Sequence, residues 1–332
     1  MILKKLLFII LFPCIFIFSF SCKNTKVTTY TKSKILFGTV VNITICSENA
    51  ENNIDVLFKN LQHYNDIFNI YNQNSLISQL NTKINIITNE KCLYDILFLS
   101  KYFGKLTNGA FDITIEPLVK LYKKYRLKKL IPPYKFIKQT LKYVNYKNIH
   151  IKKINDKQFR ISLAPNTSID LGGVAKGYAV EKASELLKGK KVKYAIIDAG
   201  GNIKVIGKLP NNKKWLIGIQ HPRKINNIIK NIHIMPGDSV STSGDYFRYF
   251  IYKGKRCHHI LDPKTGYPAN KCQSVTVVGK NSAITDILST AIFVLGPQKV
   301  KALTNKTNKY FPKDNYRIYI IDNKGKLLRF IL

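Results

Sequence analysis

Helical periodicity and β alternation are unevenly divided along this chain, and that division limits its fold. Apolar residues at helical spacing (Val56, Leu57, Leu61, Tyr64, Phe68, and again from Leu93 to Phe103) fill the early part. A series of strands is predicted across 193–279, with earlier short ones at 149–152 and 158–163 and two more at 316–321 and 326–331. One further strand is expected from Ile35 to Cys46, on the alternation Val41-Asn42-Ile43-Thr44-Ile45. A helix begins near Glu116-Pro117, where a first-turn proline is tolerated, and Pro132-Pro133 breaks the pattern after it. Two later helices are predicted, from Gly173 to about Leu187 and over 284–294. Helices early and strands late argue against a regular doubly wound sheet and for an α+β fold.

The first residues carry an export signal. Lys4 and Lys5 precede an apolar run from Leu6 to Phe18, and Ser19-Phe20-Ser21-Cys22 follows with a small residue directly before the cysteine. Residues 1–21 are expected to be removed, Cys22 to be the acylated first residue of a bacterial lipoprotein, and 22–34 to form a polar tether. From 35 to 332 there is no linker or internal repeat, so the remaining residues, about 300 of them, are expected to form one domain. Cys46, Cys92, Cys257 and Cys272 have no spacing that implies pairing, and no disulfide is predicted.

Lys and Arg number 54 against 19 Asp and Glu, a net charge of +35. Such a balance ordinarily raises nucleic acid or an anionic membrane as partner. Here the lysines are spread almost evenly among abundant Asn, Ile and Tyr, with no helix-turn-helix, zinc-finger or aromatic RNA-binding signature. Nucleic acid is therefore not expected, and of the two partners the charge raises, anionic lipid beside the anchor is the one favoured.

Three segments carry chemistry. In Asp170-Leu171-Gly172-Gly173-Val174-Ala175-Lys176-Gly177, two glycines let the backbone approach a ligand, and the N–H groups of the following helix suit a phosphate. In Thr285-Asp286-Ile287-Leu288-Ser289-Thr290-Ala291, Asp286 and Thr290 lie four apart on one helix face, two hard oxygen donors that fit Mg²⁺. Arg256-Cys257-His258-His259-Ile260-Leu261-Asp262-Pro263 is the third. Zinc is disfavoured there because neighbouring strand residues face opposite ways, leaving one histidine as a candidate acid or base. Thr242-Ser243-Gly244-Asp245 reads as a tight turn and contains no Gly-x-Ser-x-Gly elbow.

Taken together, Gly109-Ala110-Phe111-Asp112, Asp170 to Gly177 with Tyr178, Asp198-Ala199-Gly200-Gly201-Asn202, Thr242 to Asp245, His258 to Pro263 with Thr265-Gly266, and Thr285 to Ala291 resemble the ordered motifs of the ApbE family. These are FAD:protein FMN transferases, usually bacterial lipoproteins on the periplasmic side of the inner membrane. The resemblance runs from Phe37 to about Gly296.

It implies a T-fold-like domain that binds FAD and Mg²⁺ and transfers FMN to a Thr or Ser of an acceptor protein, releasing AMP. By the same resemblance Mg²⁺ is held by the carbonyls of Gly173 and Ser289 and the side chains of Asp286 and Thr290. Ala110, Phe111, Asp112, Asp170, Lys176 and Ile260 line the FAD site, and Phe37 and Tyr71 border the flavin ring. Phe37 stands where the family often has Met, which keeps an apolar wall. His259 is the expected proton acceptor, oriented by Asp245 or Asp262. Acceptors carry a Ser-Gly-Ala-Thr-like segment and belong to membrane redox complexes. Asn108-Gly109-Ala110-Phe111 lacks the terminal hydroxyl, so self-modification is not expected. Two other outcomes stay open: hydrolysis of FAD to FMN and AMP, and a flavin-binding lipoprotein without turnover.

Overall fold

The computed structural model describes residues 27–224, 226–311 and 314–332. The export signal and Cys22 lie outside these residues. The chain opens with a hairpin, β1 (Thr28–Leu36) and β2 (Thr39–Ser47), followed by α1 (Ala50–Phe68), α2 (Leu76–Lys83), β3 (Asn85–Thr88) and α3 (Lys91–Leu106). Next come α4 (Glu116–Arg126), α5 (Tyr134–Leu141), β4 (Ile149–Lys153), β5 (Phe159–Leu163), α6 (Ala175–Glu185), β6 (Val192–Ala199) and β7 (Asn202–Gly207). The strand-rich part holds β8 (Trp215–Gln220), β9 (Ile228–Ile234), β10 (Ser239–Gly244), β11 (Phe250–Tyr252), β12 (Lys255–Cys257) and β13 (Cys272–Gly279). The chain closes with α7 (Ser282–Leu295), α8 (Val300–Tyr310), β14 (Arg317–Asp322) and β15 (Leu327–Ile331).

Eight strands form one sheet in the order β1-β2-β6-β7-β10-β13-β14-β15, antiparallel throughout. The α+β expectation holds. Two corrections concern its first edge. The stretch read as one strand from Ile35 is a hairpin whose two-residue turn is Phe37-Gly38, both at positive φ. Such a turn usually shows itself as Asn-Gly, so a phenylalanine hides it. Residues 28–34, read as tether, belong to β1. Their polar composition reflects an exposed edge strand, where Lys32 pairs with Asp55 and Lys34 sits over the Phe58 ring.

One face of the sheet carries the helices. Ala50, Ile54, Leu57, Phe58 and Leu61 of α1 recur at helical spacing and pack on Val41, Ile43 and Ile45 of β2 together with Ala179, Val180 and Ala183 of α6. The β8–β9 hairpin covers part of the other face, with Trp215, Ile219 and Ile232 against Val205, Val240 and Val278.

α7 is buried almost all round and lies over β10 and β13. Three hydroxyl pairs register it: Ser239 with Ser282 at 2.7 Å, Ser241 with Thr285 at 2.8 Å, and Ser243 with Ser289 at 2.8 Å. Alternate residues of the strand thus meet positions three and four apart on the helix. Inaccessible Ile287, Leu288, Ile292 and Phe293 supply the larger driving force, roughly 1.5–3 kcal/mol each against about 1 kcal/mol for each hydroxyl pair. The hydroxyls fix register rather than stability. Asn281 caps the helix through Ala283 and Ile284 N–H.

Among the described residues, Cys46, Cys92, Cys257 and Cys272 are buried and form no disulfide with one another. Among the described residues no helix is long and apolar enough to cross a membrane.

Candidate active site

The glycine turn and the Asp286 helix meet. A Cβ on Gly173 would stand 3.3 Å from Thr290 Oγ1 and 3.2 Å from the Phe111 ring, so only a glycine brings this backbone so close to both. Four residues on, the Gly177 N–H donates to Asp286 Oδ2 at 3.0 Å. Asp286 and Ser289 are buried, Thr290 is partly open, and Ser243 Oγ lies 3.2 Å from Thr290 Oγ1, which steadies that hydroxyl. Burial raises the Asp286 pKa, offset in part by Lys176, the Gly177 N–H and Asn202.

The expected FAD-lining residues divide by what their atoms already do. Asp170 accepts from Gly172 N–H at 2.7 Å, Lys176 Nζ reaches the Gly172 carbonyl at 3.3 Å, and Asp170 feels the charges of Lys176 and Arg248. Ala110, Phe111 and Ile260 are buried in the main core. Tyr71 is 70 % exposed, with Lys123 Nζ 4.9 Å above its ring. Phe37 lies in the hairpin turn, its N–H held by Asn65 Oδ1, and Gly38 meets the Arg248 guanidinium. Asp112 is already engaged by its own loop. Its oxygens accept from Thr114 N–H, the Thr114 hydroxyl and Tyr146 N–H, so the carboxylate also holds the loop that follows Phe111.

The two adjacent histidines separate cleanly. Ile260 N–H donates to His258 Nδ1 at 3.2 Å, so His258 carries its proton on Nε2 and donates it to the Ala269 carbonyl at 2.8 Å. Buried against Phe293, it is a structural residue. His259 Nδ1 faces the Phe247 carbonyl at 3.2 Å, which can only accept, so Nε2 is left with its lone pair free. The residue as a whole is exposed, yet burial of the imidazole among protein atoms, with His258 and Arg248, pushes its pKa down to about 4.

Neither expected carboxylate orients His259. Asp245 is clamped by Arg223 in a bidentate pair, both contacts 2.7 Å, and Asp262 caps its own turn through Lys264 N–H. Each therefore has a local partner, and the backbone carbonyl of Phe247 does the orienting.

Sequence reasoning missed three neighbours of the site. Arg248 acts on Asp170, His259 and Tyr71. Glu116 is buried with Oε2 unpartnered, its pKa raised to about 7 by burial and by Asp170. Ser243, expected in a tight turn, instead lies in strand β10, where Ser239, Ser241 and Ser243 alternate toward α7 and bring its hydroxyl to Thr290.

This order of motifs, closed into one site, agrees with a family model described as the ApbE family, which matches residues 37–311. The chain belongs to the ApbE family. A relative from Klebsiella pneumoniae (strain 342), named FAD:protein FMN transferase, is 29% identical over 273 residues, covering 81% of this chain and 84% of its own. One of the same name from Treponema pallidum (strain Nichols) is 27% identical over 304 residues, covering 84% and 82%. The crystal structure of the ApbE protein from Thermotoga maritima superposes with a TM-score of 0.80 at 30% identity, covering 91% of this chain and 97% of that one. The apo flavinyl transferase ApbE of Pseudomonas stutzeri, 24% identical, shares the fold with a TM-score of 0.75 over 92% and 95% of the two chains. Like these ApbE structures, the chain is a mixed helix and sheet domain.

Proposed function

We propose that this ApbE-family chain transfers the FMN part of FAD to a Thr or Ser hydroxyl of an acceptor protein and releases AMP. The observation that carries this reading is the junction of Gly173, Thr290 and Asp286, where a phosphate-suited turn backs onto an oxygen donor set beside Lys176. The names of the relatives support it.

Asp286, Thr290 and the carbonyls of Gly173 and Ser289 fit a hard cation. All four donors are oxygens, and a carboxylate that burial drives toward its neutral form is one that a cation would restore. Mg²⁺ bound there would neutralise the diphosphate and stabilise charge on the reacting phosphorus and on leaving AMP. Lys176 and the N-terminus of α6 hold the diphosphate, while Phe37, Tyr71 and Phe111 wall the flavin. His259 Nε2 takes the proton of the acceptor hydroxyl as its oxygen bonds to the FMN phosphorus. The bond from that phosphorus to the bridging oxygen breaks, and AMP departs with that oxygen.

Acceptors with a Ser-Gly-Ala-Thr-like segment, in subunits of membrane redox complexes, are the proposed partners. A lipid on Cys22 would hold the enzyme at the periplasmic face of the inner membrane and raise the local concentration of such acceptors. The exposed surface of His259 also admits water, which makes hydrolysis of FAD the second reading.

The test is incubation of the full chain with FAD, Mg²⁺ and a Ser-Gly-Ala-Thr-bearing acceptor, with mass spectrometry of the acceptor and a parallel assay of AMP. FMN on the acceptor hydroxyl supports transfer. AMP with only free FMN replaces it by hydrolysis, and bound FAD with neither product leaves a flavin carrier.

A further inference from the structure

Outside the flavin site, three side chains with metal-ligating atoms converge between α1 and α3. His63 comes from α1, Glu90 is the residue just before α3, and Cys92 lies in its first turn. Glu90 Oε2 stands 3.3 Å from His63 Nε2 and 3.7 Å from Cys92 Sγ, and all three ligand atoms lie within 4.8 Å of one another. Although Glu90 occupies the N-cap position, its side chain makes no cap hydrogen bond and turns instead to His63 and Cys92.

Zinc bonds of about 2.0–2.1 Å to nitrogen, 2.0–2.2 Å to oxygen and 2.3 Å to sulfur, at tetrahedral angles, place neighbouring ligand atoms about 3.4–3.6 Å apart. Both Glu90 edges already have these lengths to within about 0.1 Å, and the His63–Cys92 edge needs to close by about 1.3 Å at most. An open surface depression of ≈ 540 Å³, lined by His63, Asp66, Thr88, Asn89, Glu90 and Gln158, gives access to the His63 and Glu90 side of the cluster.

An ordinary surface ion pair accounts for His63 and Glu90, and the thiol of Cys92, a residue 9 % exposed, donates to the same carboxylate oxygen at 3.7 Å, so that nitrogen, oxygen and sulfur ligands already meet at one point. The mixed nitrogen, oxygen and sulfur set also differs from the oxygen-only Asp286 set, and the two share no residue.

We propose that His63, Glu90 and Cys92 form a second metal site, for a borderline-soft divalent cation of the Zn²⁺ type, which clamps α1 to α3. Binding displaces the Cys92 thiol proton to solvent, as coordination of a thiol requires. His63 binds through Nε2 as the neutral imidazole, and Glu90 through Oε2.

The test is titration of the full chain, stripped of metal, with Co²⁺ as the spectroscopic stand-in for Zn²⁺. One equivalent is expected to give a thiolate-to-cobalt charge-transfer band and the intense visible bands of a tetrahedral centre, both abolished by added Zn²⁺. Cys92→Ser should lose the charge-transfer band. Exposed His63→Ala, which leaves the core untouched, should weaken Co²⁺ binding at least about ten-fold. Asp286→Ala should leave the signal unchanged. Absence of the band at one equivalent, its persistence in both Cys92→Ser and His63→Ala, or its loss only in Asp286→Ala would each overturn the proposal.

Discussion

The backbone N–H of Gly177 donates to the Asp286 carboxylate at 3.0 Å, and a Cβ on Gly177 would lie 2.6 Å from the Asp286 Cβ. One glycine thus both admits α7 and supplies a donor to the carboxylate proposed to hold Mg²⁺. The same Cβ would also strike the Ser282 carbonyl, a backbone atom that cannot swing aside.

Gly177→Ala is therefore expected to destabilise the protein. Alanine gains about 1 kcal/mol of helix propensity, but overpacking against backbone costs about 1–3 kcal/mol. Chemical denaturation should show net destabilisation, and Mg²⁺-dependent FAD binding should fall with it. Unchanged stability would mean that α6 and α7 separate freely.

Asp286→Asn is expected to stabilise the metal-free protein at neutral pH while weakening Mg²⁺-dependent FAD binding. Burial raises the Asp286 pKa, so the folded state holds a proton more tightly than the unfolded chain. That stabilisation is full at low pH and is lost as pH rises through the raised value. Thermal melts across pH with and without Mg²⁺ test this; a variant that keeps its metal dependence would remove Asp286 from the site.

His259→Ala should slow transfer about 10²–10⁴-fold while FAD binding persists. With its pKa lowered to about 4, the imidazole is a neutral base through the physiological range. The acidic limb of kcat/KM is expected well below the ordinary histidine value of 6.5, and activity falls as pH drops toward 4. Asp245→Asn breaks the pair with Arg223 but should not move that limb, because the Phe247 carbonyl holds His259. Equal loss of binding and turnover in His259→Ala would make it a binding residue.

Glu116→Gln tests the buried carboxylate beside Asp170. Its pKa is raised from 4.5 to about 7, so between those values the folded state binds more protons than the unfolded chain and stability falls as pH rises. Replacement should flatten that fall and raise stability above pH 7 by up to about 3 kcal/mol. Urea denaturation at low and at neutral pH provides the comparison, and an unaltered pH slope would show Glu116 to be solvated.

Much of the fold was legible because local periodicity carries it. The helices at α1, α3, α6 and α7 and most of the late strands stand where spacing predicts them. α2, α5 and α8 were not foreseen. They are short, and each buries only a few residues, two in α2 and one in α5. Strand β1 was mistaken for tether because an edge strand with one face in solvent shows lysine and threonine rather than an apolar face.

By itself the sequence determined the kind of chemistry: a glycine turn for an anion, hard oxygen donors one helical turn apart, and a histidine pair before an Asp-Pro turn. These are short-range patterns, set by residues within a few positions of one another. Tertiary structure alone decided which groups are free to use that chemistry. Asp112, Asp245 and Asp262 already have partners, His258 faces inward while His259 keeps Nε2 free, and Ser243 reaches Thr290. Gly177 and Asp286 lie 109 residues apart, and His63 and Glu90 come from different helical segments. Burial and hydrogen-bond competition across such separations depend on the packing of α1, α3, α6 and α7, which no local pattern encodes.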